Sequence, residues 1–107
     1  MKTHVAASPK FLKFYNALEK TSTLKENIEN AMDMLKQNPS AGDRIHKNLW
    51  PKKYMRSYEI NNLLRYQLSS NWRMIYTITV DNKQLICVIL EVLDHKNYDN
   101  LFGYKTS

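Results

Sequence analysis

The stretch that most constrains the fold runs from residue 64 to residue 93 and contains three successive strand patterns. In the middle pattern, apolar side chains recur at every second position: Trp72, Met74, Tyr76, Ile78 and Val80. A period of two is typical of a strand with one buried face. Arg73 falls between these positions and is therefore predicted to point to the other face of the sheet.

Two turn-like breaks set how the three strands pair. A three-residue loop at Ser69-Ser70-Asn71 places Leu68 opposite Trp72 and keeps apolar rows together. A loop of the same length at Asp81-Asn82-Lys83 predicts an apolar face on the third strand made of Ile86, Val88, Leu90 and Val92. In this register the opposite face carries one cross-strand row of Gln67, Arg73 and Glu91.

The N-terminal part predicts a short strand at residues 3–7 and two helices. Ser8-Pro9 is typical of a helix start, and the helix carries one apolar stripe of Phe11, Phe14, Tyr15 and Leu18. Thr23 and Glu26 have capping-box spacing for the second helix, which Asn38-Pro39 ends. We therefore predict a single α+β domain over residues 1–107, with an N-terminal helical hairpin packed on an antiparallel sheet of three to four strands.

Charge and composition narrow the partners and the compartment. The formal net charge of +6 favours an anionic partner, either nucleic acid or an acidic protein. Cys87 is the single cysteine, which fits a reducing compartment, and the longest apolar run, 85–90, is too short to span a bilayer. We expect a cytoplasmic protein without membrane contact. The two glycines form no phosphate-binding loop and the three histidines lack metal-ligand spacing, so no metal or small-molecule cofactor is expected.

Basic side chains concentrate in a segment that contains no acid: Arg44, Lys47, Lys52, Lys53 and Arg56. Trp50, Tyr54 and Tyr58 interleave with these cations, an arrangement typical of surfaces that hold phosphates and stack bases. The alternative is that the rings of Trp50 and Tyr54 pack on the sheet and the cations are simply solvated. Residues 52–58 predict a short helix with Pro51 at its start.

Taken in order, the helical hairpin, the strand motif Trp72-Arg73-Met74-Ile75-Tyr76 and the ending Asp94-His95-Lys96 resemble the RelE/ParE superfamily of toxins from toxin–antitoxin systems. The resemblance covers most of the chain and is strongest to RelE-like proteins. It implies a compact α+β domain that an acidic antitoxin wraps and neutralises. RelE-like members cleave messenger RNA in the ribosomal A site, whereas ParE-like members inhibit DNA gyrase, and fold alone does not choose between them.

The resemblance to RelE-like nucleases implies chemical roles for particular side chains. Metal-independent cleavage uses the 2′-hydroxyl of the RNA itself, so the protein supplies a base, cations for the phosphate and an acid for the leaving oxygen. Arg73 matches the strand arginine of the family and is predicted to bind the scissile phosphate; the alternative is a cross-strand pair with Glu91. His95 is predicted to transfer protons; the alternative is that it caps the backbone.

The remaining site predictions lie at the C-terminus and in the basic segment. Lys96 stands where an arginine is common in the family, and Tyr98 and Tyr104 are both candidates for the tyrosine near the cut. The predicted catalytic set is Arg73, His95, Lys96 and Tyr98; the predicted RNA-binding set is Lys47, Lys52, Lys53, Arg65 and Tyr104. We therefore expect an mRNA endonuclease whose partners are an acidic antitoxin, mRNA and the ribosome. The alternative is a non-catalytic protein, either a gyrase inhibitor or an inactive RNA binder.

Overall fold

A five-stranded sheet with helices on both faces forms the centre of the molecule. The computed structural model describes residues 3–103. Its elements in chain order are β1 (Thr3–Ala7), α1 (Pro9–Ala17), α2 (Thr23–Gln37), β2 (Asp43–Arg44), a 3-10 turn (Lys47–Leu49), α3 (Lys52–Ser57), β3 (Leu64–Gln67), β4 (Trp72–Asp81), β5 (Gln84–Asp94) and α4 (His95–Phe102). No helix in this part of the chain has both the length and the apolar character needed to span a bilayer.

The sheet has the strand order β1-β5-β4-β3-β2. β1 runs parallel to β5, and every other neighbouring pair is antiparallel. The predicted α+β class is therefore confirmed, but the sheet is mixed and has five strands instead of three to four. The additional strand β2 is only two residues long, and so short a strand leaves no clear alternation in the sequence.

The predicted helical hairpin is confirmed, with one change at the start of its second helix. The Ser8 hydroxyl accepts a hydrogen bond from the Phe11 amide at 3.1 Å and caps α1. The cap of α2 is Ser22, whose hydroxyl accepts from the Lys25 amide at 3.3 Å, so Thr23 is the first helical residue and not the cap. Adjacent hydroxyl residues make such a one-residue shift hard to see in a sequence.

The predicted register is correct between β3 and β4 and wrong between β4 and β5. Leu64 pairs with Tyr76, and Gln67 pairs with Arg73. The next turn, however, has two residues, Asn82 and Lys83, both with positive φ, as the tightest hairpin turns require. The register then shifts again at a bulge beside Ile75, which leaves Leu90 without a partner on β4.

These two irregularities redistribute the side chains of β5. The face covered by α1 and α2, here called the hairpin face, receives Cys87, Ile89 and Val92. Val88 and Leu90 lie on the opposite face, which α3 and α4 cover and which we call the α3–α4 face. The predicted apolar row of β5 is therefore split between two cores, and Glu91 lies opposite Ile75 instead of Arg73.

A close approach at Gly42 fixes β2 against the sheet. The Gly42 amide donates to the Tyr76 hydroxyl at 3.0 Å, and this hydroxyl donates to the Pro39 carbonyl at 2.8 Å. A Cβ atom on Gly42 would lie 2.8 Å from both the Arg65 carbonyl oxygen and the Tyr76 hydroxyl. There is consequently no room for a side chain at this position.

We therefore expect Gly42→Ala to lower the free energy of unfolding by about 1–3 kcal/mol, because backbone atoms must move to admit the methyl group. Urea unfolding followed by circular dichroism measures the loss. Ser40→Ala is the matched control, since Ser40 is exposed in the same loop. An unfolding midpoint for Gly42→Ala equal to that of the control would contradict the close packing of β2.

Candidate functional site

Two arginines share the α3–α4 face of the sheet. Arg65 is on β3 opposite Ile75, and Arg73 is on β4 opposite Gln67, so the two side chains are diagonal neighbours on one surface. The period-two alternation of both strands puts them there, since each arginine lies between residues that face the helical hairpin. The prediction that Arg73 points away from the hairpin face is confirmed.

Both guanidinium groups lie over the ring of Tyr98, which α4 presents to the sheet. The Cζ atoms of Arg65 and Arg73 are 5.6 Å and 5.1 Å from the centre of this ring. The Arg65 Nη1 atom also donates to the Tyr98 hydroxyl at 3.2 Å, and Phe102 stacks on the ring at 4.5 Å between centroids. Tyr98 is 2% exposed, so the ring is a buried platform that holds both cations by cation–π attraction.

The two guanidinium groups carry more charge than their surroundings neutralise. Within residues 3–103, their one acidic partner is Asp43, whose Oδ2 atom lies 3.4 Å from Arg65 Nη2 and whose side chain is 78% exposed. The buried Arg65 Nε and Arg73 Nη1 atoms have no hydrogen-bond acceptor among these residues. The excess positive charge favours a bound anion at the accessible part of these groups, and planar guanidinium groups suit phosphate oxygens.

His95 and Lys96 are the first two residues of α4. The residue that caps this helix is Asp94, which accepts from the Asn97 amide at 2.8 Å, so the backbone-capping interpretation of His95 is wrong. The His95 Nε2 atom lies 3.1 Å from Asp99 Oδ2, and the His95 side chain is about half exposed. Lys96 is exposed. No hydrogen bond or ion pair between described residues joins His95 to either arginine of the platform.

The basic segment divides into exposed and engaged side chains. Lys47 and Lys52 are exposed, whereas Lys53 is held by Glu91, with its Nζ atom 2.9 Å from Oε1. Trp50 donates from Nε1 to the Ile45 carbonyl at 2.9 Å, and Tyr54 is buried. The interpretation that both rings pack inward is therefore confirmed. Tyr104 lies outside the described residues.

Glu91 is the centre of a buried network that the sequence did not predict. Its carboxylate lies 2.6 Å from Lys10 Nζ and accepts from the Tyr54 hydroxyl at 2.6 Å, in addition to the contact with Lys53. It therefore joins α1, α3 and β5. The alternative that Arg73 forms a cross-strand pair with Glu91 is wrong, since Arg73 lies opposite Leu93. Burial of the Glu91 carboxyl opposes its ionisation, but hydrogen bonds from Lys10, Tyr54 and Lys53 outweigh burial and lower its pKa.

The network also changes the ionisation of its neighbours. Burial, followed by the hydrogen bond to Glu91, raises the pKa of Tyr54, so the phenol stays protonated as a donor. The hydrogen bond to Glu91 raises the pKa of Lys10, so its ammonium stays charged. A bulge beside Glu91 turns it towards α3, and no local sequence signal marks that bulge.

Within residues 3–103, no cluster of three or more histidine, cysteine or acidic side chains is arranged to hold a metal ion.

Comparisons with known proteins agree with this architecture. The family model of the ParE toxin of the type II toxin–antitoxin system parDE matches residues 5–98. The YoeB/ParE toxin from Agrobacterium tumefaciens superposes with a TM-score of 0.60 at 12% identity, covering 86% of this chain and 98% of its own. The YoeB dimer from Staphylococcus aureus gives 0.53 at 14% identity, covering 82% and 93%. A search of curated proteins finds no significant match.

The family match spans most of the chain, so this protein belongs to the ParE toxin family of type II toxin–antitoxin systems. The predicted membership of the RelE/ParE superfamily is confirmed. Toxins of this type pair with antitoxin proteins, so the partner of this chain is an antitoxin.

Proposed function

We propose that this toxin is an endonuclease that cleaves mRNA on the ribosome without a metal ion, and that Arg65 and Arg73 bind the scissile phosphate. The observation that carries the proposal is the pair of guanidinium groups over Tyr98, which lie 5.6 Å and 5.1 Å from its ring and have one exposed acid beside them. A pentacoordinate phosphate in the transition state gains a further negative charge. Preorganised cations stabilise that charge more than the charge of the ground state.

The reaction needs no group beyond the protein and the RNA. The 2′-oxygen forms a bond to phosphorus and loses its proton to a base, while the bond from phosphorus to the 5′-oxygen breaks and that oxygen gains a proton. The products are a 2′,3′-cyclic phosphate and a 5′-hydroxyl end. His95 is the proposed proton carrier, since it is accessible and Asp99 orients its ring at 3.1 Å.

The other predicted site residues take supporting roles in this proposal. Tyr98 positions the arginines, because its hydroxyl already accepts from Arg65 and its ring lies under both guanidinium groups. Lys96 is adjacent to His95 and adds positive charge on the accessible side of α4. Contacts of Lys47, Lys52 and Lys53 with RNA stay predictions; for Lys53, a phosphate would have to compete with Glu91. A contact of Tyr104 with RNA is likewise a prediction.

Primer extension on mRNA from cells that express the toxin tests this proposal. We expect new 5′ ends within translated regions soon after induction, and none in cells that express Arg73→Ala together with His95→Ala. Purified ribosomes programmed with a defined mRNA should give the same cuts with toxin that was treated with a chelator and separated from it before the reaction. Growth arrest without new 5′ ends in the mRNA would contradict the proposal that the toxin is an endonuclease.

The second candidate is a non-catalytic toxin that inhibits DNA gyrase, as the resemblance to ParE-like members implies. Two contacts favour it: the Tyr98 hydroxyl is engaged by Arg65, and the His95 ring is engaged by Asp99. In this state of the protein, both candidate proton carriers are therefore held by another side chain. A supercoiling assay with purified gyrase distinguishes the candidates, because only the second predicts inhibition by the toxin alone.

A further inference from the structure

The ring of Phe102 connects the buried network around Glu91 to the Tyr98 ring of the proposed phosphate site. It stacks on the Tyr98 ring with 4.5 Å between centroids and 24° between the planes. Its centroid is also 6.3 Å from that of the Tyr54 ring, at an angle of 59°. Phe102 is 5% exposed, so its ring is too buried to contact RNA directly. Any effect of Phe102 on the site therefore acts through its neighbours.

The helix α4 keeps Phe102 and Tyr98 together. The two residues are one helical turn apart, so their side chains are neighbours on the buried side of α4. Asp94 caps the start of this helix, and Gly103 ends it directly after Phe102 with a φ of 74°. The Tyr98 ring thus has a flat, buried neighbour, and it cannot tilt towards Phe102 without displacing that ring.

Tyr54 of α3 holds the Phe102 ring in its turn. The Tyr54 side chain is buried, and its hydroxyl donates to the Glu91 carboxylate at 2.6 Å. Phe102 therefore packs against a ring that is itself tied to β5. A continuous series of contacts leads from this carboxylate to the guanidinium group of Arg73, whose Cζ atom is 5.1 Å from the centre of the Tyr98 ring.

The orientation of the Tyr98 ring matters because two arginines from different strands depend on it. Arg65 and Arg73 lie over this ring, and Arg65 also donates to its hydroxyl at 3.2 Å. Cation–π attraction requires the cation to lie over the face of the ring, so a tilt of the ring releases both guanidinium groups. A phosphate must then order two long side chains as it binds, which weakens and misdirects their contacts with its oxygens.

We propose that Phe102 is a positioning residue: it fixes the plane of the Tyr98 ring and thereby directs the guanidinium groups of Arg65 and Arg73. Its expected effect on cleavage rests on the proposed endonuclease function. Its effect on the geometry of the arginines does not, because that geometry exists in the free protein. The proposal gives a role in the site to a residue that RNA does not contact.

Phe102→Leu tests this role, because leucine keeps an apolar side chain and removes the flat ring. The ring current of Tyr98 is expected to shift the side-chain signals of Arg65 and Arg73 in NMR spectra of the wild type. We expect Phe102→Leu to remove at least about half of this shift, since the guanidinium groups no longer stay over the ring. Two-dimensional spectra of toxin labelled in its arginines measure the change, and the urea-unfolded protein gives the unshifted reference.

Phe11→Leu is the matched control. Phe11 is also buried, but its ring belongs to the hairpin-face core and lies 6.0 Å from that of Tyr15. Phe11→Leu should lose a similar amount of stability in urea unfolding and leave the signals of Arg65 and Arg73 unchanged. Phe102→Met supplies a longer, more adaptable side chain and should change these signals as Phe102→Leu does, so it replaces that variant if leucine prevents folding. Equal shifts in the Phe11 and Phe102 variants, or unchanged arginine signals in a folded Phe102 variant, would overturn the proposal.

Cleavage on programmed ribosomes gives a second test. Phe102→Leu should lower the single-turnover rate by about tenfold, and Phe11→Leu by less than about twofold. In a protein that already carries Arg73→Ala, Phe102→Leu should lower the rate by less than about threefold, which is the part that acts through Arg65. A loss of the same size in both backgrounds would show that Phe102 does not act through Arg73 and would contradict the positioning role.

The two tests separate the role of Phe102 from the proposed function. A wild-type toxin that cleaves no mRNA contradicts the endonuclease, while the NMR comparison still decides whether Phe102 positions the arginines. Arginine signals that do not differ between the wild type and Phe102→Leu, in a toxin that cleaves mRNA, overturn the positioning role alone.

Discussion

Arg73→Ala is expected to lower the rate of the proposed mRNA cleavage by about 10²–10³-fold, because it removes one of the two cations that we propose bind the phosphate. The side chain lies 5.1 Å above a buried ring and has a buried Nη1 atom without an acceptor among residues 3–103. Arg73→Lys should recover only part of the activity, since an ammonium keeps the charge but loses the two parallel donors of a guanidinium. Single-turnover cleavage on programmed ribosomes measures both rates.

Arg44→Ala is the matched control for this prediction. Arg44 is an exposed arginine on β2 opposite Leu64, a residue of the hairpin-face core, so its loss changes the net charge equally without touching the ring platform. We expect its cleavage rate to stay within about twofold of the wild type. If Arg73→Ala cleaves as fast as Arg44→Ala and both proteins remain folded, Arg73 does not bind the reacting phosphate.

Glu91→Ala should cause the largest loss of stability of any single change considered for this protein, about 2–4 kcal/mol. The buried Tyr54 hydroxyl loses its acceptor, and the truncated side chain leaves a gap between β5 and α3. The two lysine contacts add less, because both lysine side chains are well exposed to water. Urea unfolding measures the loss, with Asp43→Ala as the control that removes an exposed carboxylate.

The same residue predicts how stability depends on pH. The pKa of Glu91 is lowered by folding, so the carboxylate stabilises the protein above the unfolded pKa of about 4.3 and loses this effect as the pH falls through the folded pKa. Wild-type protein should exceed Glu91→Gln in stability at neutral pH, and the difference should shrink in acid. A difference that is constant down to acid pH would show that charge at Glu91 does not contribute.

Local patterns of apolar residues and turn residues were sufficient to predict most of the fold. The alternation from Trp72 to Val80 predicted β4, and a loop length that keeps apolar rows together predicted its register with β3. The predicted register between β4 and β5 was wrong because the apolar pattern does not show two features of the structure. Asn82 and Lys83 both adopt positive φ, which shortens the turn, and a bulge near Leu90 reverses the faces of the residues that follow.

The site was predicted in part for the same reason. Strand alternation placed Arg65 and Arg73 on one face, and the structure brings both to Tyr98. The helix α4 that carries Tyr98 was missed, although Asp94 before it and Gly103 after it, with φ of 74°, are the usual residues at helix ends. The Glu91 network joins three elements distant in sequence, and pairing of this kind is visible only once the elements have packed.

The parallel pairing of β1 with β5 has a consequence for when the toxin becomes harmful. Thr3 pairs with Leu85 and Ala7 pairs with Ile89, so the first strand finds its partner only after some eighty residues of intervening chain have been made. Contacts so distant in sequence carry a cost in loop-closure entropy and slow folding. A nascent chain that has not yet emerged beyond β5 has neither a complete sheet nor the Tyr98 platform. The ribosome is therefore expected to translate the chain through β5 and α4 before the toxin can form a functional site.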